Sequence, residues 1–100
     1  MEKRTPHCKL PMVKTLIEAG RVRSTLTALA GAAQMGFGFD TIVSVIKALT
    51  LADFYKSLTA YADHRIWHDV YRPVTVAGTV YLKLTVIDDA LIVSFKELEI

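Results

Sequence analysis

Residues 80–97, VYLKLTVIDDALIVSFKE, constrain the fold more than any other part of the chain. Successive side chains of a strand point to opposite faces. In the first half, Val80, Leu82, Leu84 and Val86 therefore point one way, and Tyr81, Lys83 and Thr85 the other. In the second half, Leu91, Val93 and Phe95 share one face, and Ile92, Ser94 and Lys96 the other. Asp88-Asp89 is the natural turn. A two-residue loop sets Ile87 opposite Ala90. That register predicts Leu84 opposite Val93, Leu82 opposite Phe95, Lys83 opposite Ser94 and Tyr81 opposite Lys96. A slip of one residue would set apolar against polar side chains. A slip of two would set Lys83 against Lys96, a like-charge pair that costs stability. The expectation is a hairpin whose Leu82/Leu84/Val93/Phe95 face is covered and whose Tyr81 and Lys96 stand about 5 Å apart at Cβ on a polar face. Pattern alone is compatible with an ordinary solvated tyrosine–lysine pair as well as with a functional site.

The first half of the chain has a helical period. Pro11 suits a first helical position, Val13, Leu16 and Ile17 follow at helical spacing, and Gly20 is a stop. Ser24 or Thr25 can cap a second helix with Leu26, Leu29, Ala30 and Ala33 on one face, closed by Gly36. Asp40 is the expected cap of a third, whose Ile42, Val43, Val45, Ile46 and Leu49 make it apolar almost all round and predict deep burial. Thr50 with Asp53 resembles a capping box and predicts one more helical turn. From Phe54 onward β-branched and aromatic residues dominate. Strands are predicted near 54–61, 67–73, 78–87 and 90–97. A loop falls at 62–66 with Asp63, His64 and Arg65, and Pro73 belongs at a strand end or edge. Helices first and strands after predict an α+β fold, with N-terminal helices packed on one face of a C-terminal antiparallel sheet. One domain over residues 1–100 is expected from the length.

Apolar residues make up 52% and charged residues 22% of the chain, a globular composition. No apolar core follows the charged start MEKRTPHCKLP, so no signal peptide is expected. No stretch reaches the roughly 18 apolar residues of a membrane span. Cys8 is the sole cysteine, which excludes an internal disulfide and a cysteine-rich zinc pattern and points to a reducing cytoplasm. Residues 1–50 carry seven Lys/Arg against three acids, net +4, and residues 51–100 five against seven, net −2. A basic N-terminal half suits either a polyanionic partner or solvated helix faces.

GxSxG, Walker and HExxH patterns are absent from the sequence. His64 and His68 are four apart but fall in a loop-to-strand region without a third ligand nearby, so no metal and no cofactor are expected. Asp88 and Asp89 are read as turn formers. Metal-free RNA cleavage fits better. The 2′-hydroxyl attacks its own phosphodiester, which requires a base, an acid for the leaving 5′-oxygen and cations for the charged phosphorane. Lys56, His68, Arg72, Tyr81 and Lys96 supply those types. Tyr55, Tyr61, Trp67 and Tyr71 are aromatics that either stack single-stranded bases or pack the sheet.

The motifs MEKRTPH, DFYKS, DHRIW, DVYRP, VYLKLTVI and LIVSFKE together resemble the motility quorum-sensing regulator (MqsR) toxin family, essentially end to end. The resemblance implies a compact RelE-like toxin fold and an mRNA interferase that cuts at short GC-containing sites. It also implies a partner antitoxin with a zinc-bearing N-terminal domain and a helix-turn-helix DNA-binding domain, so that DNA is reached only through the antitoxin. The family's site residues fall on Lys56 in DFYKS, Tyr81 in VYLK and Lys96 in SFKE. The family's glutamine position is His68 here, and a histidine titrates near neutrality where glutamine does not. Arg72, Lys83 and Tyr55 are further candidates for substrate contact. The competing expectation is a non-catalytic module that binds the antitoxin and modulates its DNA binding.

Overall fold

The computed structural model describes residues 1–99. In chain order its elements are β1 (Glu2–Lys3), α1 (Leu10–Glu18), β2 (Val22–Ser24), α2 (Leu26–Gln34), α3 (Phe39–Lys47), a 3-10 turn (Leu51–Asp53), β3 (Phe54–Thr59), β4 (Trp67–Tyr71), β5 (Val74–Thr75), β6 (Gly78–Ile87) and β7 (Asp89–Glu97). The strands form one sheet in the order β1-β3-β4-β6-β7-β2, with β5 paired to β6 alone. The predicted α+β arrangement is present. Two features depart from it. Strands β1 and β2 lie in the N-terminal half, and β2 runs parallel to β7. Both are too short to carry an alternation that sequence reading detects.

Local chemistry explains most boundaries. Pro11 lies in the first turn of α1, and Gly20 and Gly36 adopt φ of 75° and 81° just past α1 and α2, where a side chain would be strained. Thr25 caps α2 by accepting from the Ala28 N–H at 3.0 Å. Thr50 and Asp53 form the expected capping box around the 3-10 turn. The cap of α3 is Gly38 rather than Asp40, which is the second helical residue and meets the positive end of the helix dipole. Nor is α3 buried all round. Ile42 and Ile46 are sealed, while Asp40, Ser44 and Lys47 face water. Strands β3 and β4 end at Thr59 and Tyr71, two residues earlier than predicted in each case.

The core lies between the helices and one face of the sheet, where Val13, Ile17, Ile42 and Ile46 meet Tyr71, Val80, Leu82, Leu84, Ile92 and Phe95. The 80–97 hairpin is central to it, and its register has two halves. Tyr81↔Lys96, Leu82↔Phe95 and Lys83↔Ser94 pair as predicted. Beyond them Leu84 pairs with Ile92 rather than Val93, and Ile87 with Asp89 rather than Ala90. Val93 is an extra residue, a β-bulge. The turn is consequently tighter, with Asp88 alone at φ 64°. Past the bulge Ala90 and Ile92, not Leu91 and Val93, enter the core.

The bulge is tied to α2. Released from the ladder, the Val93 carbonyl accepts from the Thr25 hydroxyl at 2.9 Å, and the Thr25 N–H donates to the Ile92 carbonyl at 3.0 Å. From this staple α2 runs along the remainder of β7. A β-carbon at Gly31 would collide with the Phe95 carbonyl oxygen and lie 3.3 Å from the Lys96 Cβ. Glycine is what permits that approach. It also rotates the helix relative to the predicted face: Ala28 and Ala32 are sealed, whereas Leu26 is 84% exposed and Ala30 and Ala33 face water.

Candidate functional site

The helices cover one face of the sheet and leave part of the other open. Register and alternation determine which side chains stand there. Lys56 pairs with Val70, Val70 with Lys83, and Lys83 with Ser94, a row running across β3, β4, β6 and β7. Tyr81 and Lys96 form the next same-face pair toward the start of β6, and His68 lies beside Leu58 on the other side of the row. With strands about 4.8 Å apart, Lys56 and Lys83 are separated by roughly 10 Å at Cα. Five candidates from four strands thus share one surface: Lys56, His68, Tyr81, Lys83 and Lys96.

Their environments differ. The Lys56 side chain is only 21% exposed, and its ammonium donates to the Glu2 carboxylate at 2.6 Å. That bond raises the lysine's pKa above its ordinary value and lowers that of Glu2. Glu2 is held there because β1 pairs antiparallel with β3, Glu2 opposite Leu58, and because the Met1 carbonyl accepts from the Thr59 N–H at 3.0 Å. Burial, then the Lys83 ammonium, pushes the His68 imidazole below its usual value, partly offset by Asp69. The Lys96 ammonium lies 5.6 Å from the centre of the Tyr81 ring.

Tyr55 and Arg72 gather at the end of the β3–β4 pair. The register shifts between Phe54 and Lys56, and Tyr55 occupies the bulge. Its ring receives the Arg72 guanidinium at 3.8 Å, with Lys56 at 5.2 Å and Arg4 at 5.7 Å. A ring between cations is a surface for stacking and for phosphate at once.

Other candidates lie elsewhere. Tyr71 is sealed on the core side, edge-on to Phe54, and so is no base-stacking residue. Trp67 pairs with Thr59 and takes the Lys3 ammonium and the His7 ring rather than joining the open face. Tyr61 and His64 are exposed in the 60–66 loop. Asp88 is the turn residue, whereas Asp89, expected in the turn as well, instead opens β7 opposite Ile87 and bonds to Arg21 at 2.9 Å. Among the described residues no three His, Cys, Asp or Glu side chains converge as metal ligands would.

Glu2 and Arg4 were not singled out by sequence reading, since a two-residue strand carries no periodic signal. Asp69 was also missed. It is 1% exposed and accepts from the His7 and Cys8 N–H groups at 2.9 Å each, fixing the segment that leads into α1.

The family description "Motility quorum-sensing regulator, toxin of MqsA" matches residues 5–97. The chain belongs to this family. A curated relative, the mRNA interferase toxin MqsR of Escherichia coli (strain K12), is 60% identical over 97 residues, which cover 97% of this chain and 99% of that protein. As an MqsR-family toxin, the chain has helices on one side of a mostly antiparallel sheet, consistent with a RelE-like fold. Among the described residues no helix of this toxin-family chain is long and apolar enough to cross a membrane.

Proposed function

We propose that this chain is the toxin of a toxin–antitoxin pair and acts as an mRNA interferase, an endoribonuclease on single-stranded mRNA. The single observation that carries the site assignment is the open face, where Lys56, His68, Tyr81 and Lys96 come together from four strands. In the reaction the 2′-oxygen attacks the adjacent phosphorus and gives up its proton to a base. The P–O5′ bond breaks, and the 5′-oxygen gains a proton. Products are a 2′,3′-cyclic phosphate and a 5′-hydroxyl. Lys56 and Lys96 stabilise charge on the phosphorane. Tyr81 positions the phosphate or donates the proton. His68, held toward its neutral form by burial, serves proton transfer or substrate placement. Arg72, Lys83 and Tyr55 hold flanking nucleotides. The chemistry calls on no metal or other cofactor. Cleavage falls at short GC-containing sites, in the cytoplasm. The partner is an antitoxin with a zinc-bearing N-terminal domain and a helix-turn-helix domain, which supplies any contact with DNA.

Controlled expression with mapping of RNA ends tests this. Growth arrest with new 5′-hydroxyl ends is expected, and the purified protein should cut RNA in the presence of chelator. Lys56→Ala, Tyr81→Phe and Lys96→Ala should each relieve arrest while remaining folded. Full toxicity in all three would overturn the site assignment. Arrest without new RNA ends would assign the chain to binding alone.

A further inference from the structure

Beside the Tyr81–Lys96 pair the open face deepens into a cleft of about 650 Å³. Its floor is Tyr81, Lys83, Ser94 and Lys96, and one wall is the C-terminal end of α2, with Gln34 and Met35. The volume lies within the roughly 300–1,000 Å³ typical of small-ligand sites and holds a nucleotide. The wall exists because Gly31 lets α2 approach the backbone of β7. Two cations on the floor suit a phosphate, while Glu97, Leu98 and Glu99 complete the lining and put two carboxylates in the same cleft, so an anion seats at the lysines. The wall offers something else: an exposed side-chain amide carrying both donors and an acceptor, beside a soft thioether. Among the cleft's α2 residues Gln34 alone has a polar side chain. A base edge presents adjacent donors and acceptors, and a bidentate amide contact is a recurrent way of reading one.

We infer that this cleft seats the base of a nucleotide flanking the scissile phosphate, and that Gln34 is a specificity-determining residue reading its edge. The inference rests on the ribonuclease reading above. The scissile phosphate lies on Lys96, the flanking nucleotide's own phosphate on Lys83, the base turns toward α2, Met35 packs on its face, and the Gln34 amide selects its identity. Nothing in composition marks Gln34. Only the close packing of α2 on β7 brings it to the site.

The test is end-mapping of a randomised RNA pool cut by purified wild type, Gln34→Ala and Gln34→Glu. Gln34 is exposed, so both variants should fold, and thermal melts verify it. Discrimination at one position next to the cut should fall by between about 5-fold and 150-fold in Gln34→Ala, the range for loss of a bidentate base contact. Gln34→Glu keeps the length but only accepts, so its preference should move toward bases that present an amino group. An unchanged preference profile in both variants would overturn the inference. So would a uniform loss of rate at every site, which is the signature of a merely structural role. If the wild type failed to cut RNA, the ribonuclease reading itself would fail, an outcome distinct from either.

Discussion

Gly31→Ala tests the packing on which the site depends. In an exposed helix interior this change stabilises by about 1 kcal/mol, because glycine has the more flexible unfolded chain. At Gly31 the sign should reverse. The new methyl would overlap the Phe95 carbonyl oxygen and crowd its carbon at 3.2 Å. The obstacle is backbone in a paired strand, so no rotamer change relieves it. Helix α2 must retreat, loosening sealed Ala28 and Ala32 and straining the Thr25–Val93 bond. Overpacking typically costs about 1–3 kcal/mol, and a rigid backbone obstacle puts this site in the upper part of that range, about 2–3 kcal/mol. Against the propensity gain, the net loss is about 1–2 kcal/mol, a fall in Tm of roughly 4–16 °C for a chain of this size. Urea and thermal melts measure it, with an unchanged m-value expected. Ala30→Gly and Ala33→Gly on the exposed side calibrate propensity and should each lose about 1 kcal/mol. Cleavage should fall too, since α2 walls the cleft. A Gly31→Ala protein with a raised midpoint would refute the close approach and everything built on it.

Two further predictions concern charge. Glu2→Gln leaves Lys56 cationic but without its carboxylate partner, so binding of an RNA blocked at its 2′-oxygens should strengthen at low salt. The slope of log affinity against log salt should steepen by about 0.7, and equal slopes would show that Glu2 does not mask Lys56 from RNA. Burial lowers the His68 pKa below the ordinary 6.5, so the stability of its neutral form is fully present above pH 6.5 and is lost as pH falls through the folded value. His68→Gln should remove that part of the acid sensitivity in denaturant melts and flatten the acid limb of the cleavage rate, whereas an unaltered pH–rate profile would exclude proton transfer by His68.

Much of this architecture is written in short-range pattern. Alternation alone puts Tyr81 opposite Lys96 because strand parity is a strong local constraint. The reading fails at Val93 because a bulge depends on what takes the freed carbonyl, and that group is Thr25, far away in sequence. The face of α2 is misread for a related reason. Ala30 and Leu26 look like core by spacing, but a helix lying on a strand edge through Gly31 buries its smallest side chains. Of the candidate site residues, Lys56 and His68 are picked out by residue type and family resemblance, and Tyr81 and Lys96 by strand register as well. Glu2, Arg4 and Gln34 are legible through neither, since each reaches the open face by tertiary pairing.

The bulge at Val93 acts as a phase shifter in β7. On its turn side Ala90 and Ile92 face inward, and on its far side Phe95 does, three residues on instead of two. Lys96 reaches the open face only because of that odd step. Removing one residue between Ala90 and Phe95 would keep a continuous ladder and still leave a hairpin. It would also change how the strand is phased between its turn and its lysine, so that either core or site falls out of step. The same deletion made at the Asp88 turn would disturb neither phase directly. Length variation in this hairpin therefore leaves the strand phase intact at the tip and breaks it along β7, even where every chemical group of the candidate site is retained.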